Sequence, residues 1–155
     1  MASRPGHQIC RGFTVIEIMV VLLVITLLAL AAFPVYQNAI IKTKRSEGKA
    51  ALMKTMQKQE RYFSSHMRYL AFSAPVAGDS ADPGTNGFAW FSGESAKASA
   101  YEISAQACDD DIRDCVLLLA TPGTSRVDAN FRDGTCGVLR LDSAGRKSAD
   151  ADRCW

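Results

Sequence analysis

The residue whose chemistry is hardest to place is Glu17, because it stands in a run otherwise suited to lipid. From Phe13 to Phe33 there are 21 residues, and only Thr14, Glu17 and Thr26 are not apolar. A helix crossing a bilayer needs roughly 20 predominantly apolar residues. A carboxylate in such a helix costs about 2.5 to 3.5 kcal/mol at mid-span and less toward its end, so Glu17 requires a counter-charge. The segment upstream offers one. Met1–Gly12 carries Arg4, His7 and Arg11 with no acid, and Gly12 directly precedes the apolar run. A secretory signal places its small-residue cleavage site after the apolar segment and discards that segment. A cut between Gly12 and Phe13 retains it instead. The cut leaves a free amine on Phe13, four residues before Glu17 and on the same helical face. It also puts Glu17 in the first turn, where the helix dipole favours negative charge.

The run Phe13-Thr14-Val15-Ile16-Glu17, preceded by a short basic segment ending at Gly12, resembles the start of type IV pilin precursors. The resemblance implies that a prepilin peptidase cuts after Gly12 and methylates Phe13. It also implies that Glu17 neutralises the terminal amine of a neighbouring subunit as a filament assembles. Three segments follow: a cleaved leader over 1–12, a transmembrane and filament-core half-helix over 13–41, and a periplasmic or extracellular head over 42–155. The expected location is the inner membrane as a single pass with cytoplasmic leader and periplasmic head, then a pilus on the cell surface. The implied partners are other pilin subunits in a helical, head-to-tail filament, the prepilin peptidase, the inner-membrane assembly machinery, and the lipid bilayer before assembly.

At 155 residues the chain allows one domain of modest core beside such an anchor. The formal charge is +2, from 18 basic and 16 acidic residues, and loss of Arg4 and Arg11 leaves 16 against 16. A neutral subunit has no general pull toward nucleic acid or anionic lipid. Lys42, Lys44, Arg45 and Lys49 outnumber the leader's arginines, so charge counting does not set the topology, which rests on the resemblance and on the tolerance of long domains for translocation.

Cys10 falls in the leader, and the remaining Cys108, Cys115, Cys136 and Cys154 form an even set, which in an exported domain reads as disulfides. Loop entropy does not choose among the three pairings, since even the short rings contribute roughly 2.5 to 3 kcal/mol. Local geometry favours two sequential bridges. A turn over Asp109–Asp114 sets Cys108 opposite Cys115, and a turn at Ser143-Ala144-Gly145 returns Cys154 toward Cys136. A zinc site is the rival, but the set contains no Cys-x-x-Cys pair.

These residues need a scaffold. The apolar run continues past Pro34, which is expected to bend the helix, into an amphipathic half in which Ala51, Leu52, Met56, Tyr62 and Phe63 recur at helical spacing. A helix from Phe13 to about Ser64 would be roughly 75 to 80 Å long at 1.5 Å per residue. Residues 65–100 are rich in Gly and Pro and read as a long connection with at most a short strand near Phe88–Phe91, where Trp90 and Phe91 pin the loop to its own core more naturally than they anchor a partner. Tyr101–Ala107 alternates apolar with polar, Val116–Ala120 is continuously apolar, and Cys136–Asp142 with Arg146–Ala149 makes a closing hairpin. The expected class is α+β, a type IV pilin fold: a long N-terminal helix on a small antiparallel sheet of three or four strands, with two disulfides. The closing hairpin with Cys154-Trp155 resembles that of small type IV minor pilins.

Catalytic chemistry is not indicated. Beyond the leader there is one histidine, His66, expected at the solvated helix end, and no nucleophile–base set, phosphate loop or dinucleotide turn stands out. No enzyme activity and no cofactor are expected. Asp109, Asp110, Asp111 and Asp114 lack the alternation of an EF-hand and read as a solvated acidic loop. Arg140, Arg146, Lys147 and Arg153 offer a basic patch that could meet DNA, diluted by Asp142, Asp150 and Asp152. The function expected is that of a minor pilin, a structural subunit of a type IV pilus. The alternatives are a pseudopilin of a type II secretion system and a filament-displayed DNA receptor for DNA uptake.

Overall fold

The computed structural model describes residues 12–75 and 87–155. They belong to two compact units that divide after Ala39. Helix α1, Val15–His66, contributes to both. Its start is capped by Thr14: the Glu17 N–H reaches the Thr14 carbonyl at 3.1 Å and the Thr14 hydroxyl at 3.3 Å, the N-cap half of a capping box. Its end is closed by Met67, which adopts a left-handed φ of 52° and donates its N–H to the Phe63 carbonyl. The bend expected at Pro34 concerns a residue whose side chain, like those of Ala31, Phe33 and Val35, lies outside the described residues. Among the described residues no helix is long and apolar enough to cross a membrane.

In the second unit the sheet is antiparallel, β1 (Tyr101–Ala107), β2 (Val116–Pro122), β3 (Leu139–Asp142) and β4 (Lys147–Ser148), in that order. The register places Ile103 opposite Ala120 and Ala120 opposite Leu139, and Ala105 opposite Leu118 and Leu118 opposite Leu141. Because side chains alternate across a strand, these two cross-strand rows share one face, and all six residues are buried. The β3–β4 turn is closed by Gly145, whose φ of +79° is a conformation other residues adopt only with strain. The connection before the sheet contributes two single bridges, Phe72 to Ala105 and Phe91 to Glu102, in place of a strand at Phe88–Phe91. Gly78, Pro83 and Gly84 of that connection lie outside the described residues.

The sheet face is covered by α1 through Gly48, Leu52, Thr55 and Gln59, all buried and spaced four, three and four apart. Three of these are polar or lack a side chain. Gly48 lets the helix approach Tyr101 so closely that a Cβ there would sit 2.9 Å from its ring. Gln59 acts as a substitute strand edge: its amide donates to the Leu70 carbonyl at 2.6 Å and accepts the Leu70 N–H at 3.0 Å. The chain leaving α1 is thereby fixed to the helix it has just left. Trp90 packs half-buried against the core, edge-on to Phe91 at 5.1 Å.

One ion pair ties the helix to the far loop. Arg45 donates from Nε and Nη2 to both oxygens of Asp133, each at 2.7 Å, and Tyr101 donates its hydroxyl to Asp133 at 2.7 Å. The Cys136 N–H adds a fourth bond at 3.0 Å. Burial opposes the Asp133 charge, but Arg45, Tyr101 and the Cys136 N–H together outweigh it and hold the carboxyl at about 2. Burial, then the neighbouring carboxylate, pushes the Tyr101 phenol well up, so it stays protonated as a donor.

Two outcomes follow for stability. Gly48→Ala should lower stability by about 1 to 2 kcal/mol in urea unfolding, since the clash with Tyr101 exceeds the helix-propensity gain of about 1 kcal/mol. Because the Asp133 carboxyl is depressed in the fold, its contribution of about 2 kcal/mol is present above the ordinary value near 3.8 and lost as pH falls through about 2. In the same titration Asp133→Asn should be less stable at pH 7 by about 3 kcal/mol, the cost of leaving Arg45 unpaired. It should also lose less stability than the parent between pH 5 and 2.

Candidate functional site

The chemistry anticipated for this chain is association, and its first element is the start of α1. From Phe13 to Leu30 every described side chain is exposed, Phe13 at 80 % and Leu30 at 70 %. An apolar surface of this extent marks a lipid or protein interface. The three polar residues in it behave differently. Thr14 caps the helix. Thr26 donates its hydroxyl to the Leu22 carbonyl at 2.7 Å, the intrahelical bond that lets a threonine sit among apolar residues. The Glu17 carboxylate has no partner among the described residues. Gly12 and Phe13 lie immediately before the helix, both exposed, while the rest of the proposed leader lies outside the described residues.

The second element is the head. The bridges Cys108–Cys115 and Cys136–Cys154 are formed, with Cα atoms 5.4 and 5.7 Å apart. The first closes the acidic turn, where Asp111 pairs with Arg113 and is held below the usual carboxylate range mainly by it. No metal-binding group of His, Cys, Asp or Glu occurs among the described residues. His66 is the exposed last residue of α1 and stacks on Tyr62 with ring centres 4.0 Å apart.

The four basic residues of the hairpin region are not equivalent. Arg140 pairs with Asp150 at 2.8 Å and Arg146 with Asp142. The Val138 N–H and Arg140 hold Asp150 low, and at Asp142 the N–H and guanidinium of Arg146 outweigh burial, so both carboxylates stay ionised and neutralise their arginines at neutral pH. Lys147 lies 5.6 Å from the Trp155 ring centre, and Lys49 of α1 lies 5.8 Å from it. Arg153 is exposed with a left-handed φ of 60°. Lys49 was not among the sequence candidates. Only the fold places it beside Trp155, 106 positions along the chain.

Residues 34–140 match the family model described as type IV minor pilin ComP, DNA uptake sequence receptor, and residues 8–33 match the prokaryotic N-terminal methylation motif. This chain belongs to the type IV minor pilin family. A curated relative, the type IV major pilin protein PilA of Myxococcus xanthus (strain DK1622), is 31% identical over 108 residues, which cover 70% of this pilin and 43% of the relative. The pilin thus spans under half the length of that relative. Among solved structures it is similar to a type IV pilin from Shewanella oneidensis, with TM-score 0.43 and 22% identity over 74% of this chain and 97% of that one. It is also similar to the Neisseria meningitidis non-core minor pilin PilV, with TM-score 0.45 and 17% identity over 74% and 91% of the two chains.

For this pilin the bridges should matter to the compact unit that contains them, residues 40–155. Replacing Cys136 and Cys154 together by Ser should lower the stability of that unit by about 2 to 4 kcal/mol, read by thermal unfolding.

Proposed function

We propose that this minor pilin is made as a membrane-held precursor, with residues 13–41 as its single pass and filament-core segment and 42–155 as its exported head. It is cut between Gly12 and Phe13 by a prepilin peptidase, methylated on Phe13, and drawn by the inner-membrane assembly machinery into a filament through its apolar helix. Its role is structural and not catalytic. The observation that carries this reading is the Glu17 carboxylate. In the described part of the apolar run it is the one polar side chain without a bond to another described residue. A charge in that position is tolerable in a packed filament only with a counter-charge from outside. The Phe13 amine of a neighbouring copy is the complementary group, generated by the same cut that starts the helix.

A second reading, in which the filament-displayed head also takes up DNA, is favoured by the family description matched over residues 34–140. It adds to assembly and does not replace it.

Glu17→Ala should leave the pilin cleaved and membrane-inserted but reduce its amount in sheared filaments by tenfold or more. Glu17→Asp, with the charge retained, should recover part of that loss. Wild-type amounts of the alanine variant in filaments would remove charge pairing from the account.

A further inference from the structure

Ion pairs among the described residues of the head neutralise Lys44, Arg45, Arg113, Arg126, Arg140 and Arg146 and leave ten other lysines and arginines without a carboxylate partner there. Three of those ten form a stripe. Lys54, Lys58 and Arg61 are spaced four and three apart on α1 and therefore share a face. They span about 10 Å along the axis at 1.5 Å per residue, close to three steps of a DNA strand at a rise of about 3.4 Å each. None has a carboxylate partner among the described residues. Lys58 donates one hydrogen to the Gly87 carbonyl at 2.7 Å and keeps two; Arg61 donates Nε to the Gln57 carbonyl at 3.3 Å and keeps its terminal nitrogens.

These cations line a groove. A cavity of about 430 Å³ between the end of α1 and Gly87–Phe88 adjoins one of about 210 Å³ between α1 and residues 89–93, and Lys58 borders both. Among the described residues the one acid lining them, Glu47 at the far end, is held by Lys44 at 3.0 Å. At the near end the Tyr62–His66 stack, with planes only 7° apart, presents an exposed imidazole, and Phe88 meets Tyr62 edge-on at 6.5 Å. His66 donates Nδ1–H to the Tyr62 carbonyl at 3.0 Å, which fixes the ring in place. Cations without a carboxylate partner among the described residues, in a line that ends on a fixed aromatic face, are what nucleic-acid backbones and bases require together.

We propose that this groove is a nucleic-acid site, with Lys54, Lys58 and Arg61 on successive phosphates and the Tyr62–His66 stack against a base. The inference rests on the reading of this pilin as a DNA receptor and moves the contact surface away from the closing hairpin, where Arg140 and Arg146 are already paired.

The test is fluorescence anisotropy with a labelled 24-mer, as duplex and as single strand, on the full chain in detergent micelles across a salt series. The Lys54→Gln/Lys58→Gln/Arg61→Gln variant should bind at least tenfold more weakly at low salt, and its slope of log K against log salt should be shallower by about 2 to 3, near 0.9 per lost phosphate contact. Lys54→Gln/Arg61→Gln, which leaves the Lys58–Gly87 bond intact, should lose about 2 from the slope with no change in thermal midpoint. His66→Ala should weaken single-strand binding several-fold with the slope unchanged. Lys147→Gln/Arg153→Gln should bind like the parent. Parental binding by the groove variants overturns the site while leaving the receptor reading intact, and if those variants also enter filaments poorly, the groove is a contact between subunits. Absence of binding by the parent at low salt removes the receptor reading, and the site with it.

Discussion

A buried or lipid-facing polar group must be bonded, and nearly everything distinctive about this pilin follows from how that demand is met at three positions of one helix. Thr14 meets it by capping the helix and Thr26 by bonding back to Leu22. Glu17 does not meet it among the described residues. An isolated copy therefore carries an unresolved charge at the end of its apolar surface, and a packed assembly of copies need not. The same residue in a soluble helix would be an ordinary first-turn acid favoured by the dipole. Its meaning here comes from the 21-residue apolar run around it.

The head solves the opposite problem of holding a small sheet on a helix with a limited core. Apolar contact supplies part of the attachment, through Leu52 with Ile103, Leu118, Leu139 and Leu141. The rest is polar and specific. Arg45 and Tyr101 converge on Asp133, which carries the loop after β2 back to the helix and leads directly into Cys136. A buried pair of this kind adds less net stability than its geometry suggests, but breaking one side of it is costly. It therefore fixes a single arrangement of helix, sheet and disulfide. Gln59 does the same at the other end of the helix, bonding both backbone groups of Leu70. On the same helix Lys54, Lys58 and Arg61 have no carboxylate partner among the described residues.

How much of this could be read from the sequence depended on whether the signal was local. The alternation of Tyr101–Ala107 and the apolar run of Val116–Ala120 predict strands, and both form. Turns at Asp109–Asp114 and Ser143–Gly145 bring the cysteines together in the pairs expected. The stripe of α1 that meets the sheet was only partly legible, because Gly48, Thr55 and Gln59 carry no apolar signal and are buried for reasons of close approach and backbone pairing. Arg45 and Asp133 are 88 positions apart, each one charge among many, and nothing local marks them as partners. The basic residues of the hairpin read as a patch diluted by Asp142, Asp150 and Asp152, and the fold shows which are neutralised, pairing Arg140 with Asp150 and Arg146 with Asp142.

The claim on which the account turns is that Glu17 is answered by an amine that exists only after the chain is cut at Gly12. The most direct measurement is the intact mass of the pilin recovered from assembled filaments. The account predicts a chain that begins at Phe13, heavier by one methyl group and lighter by the four hydrogens of two disulfides. A filament-borne chain that still begins at Met1 would contradict it, because no terminal amine would then lie near Glu17 of any copy.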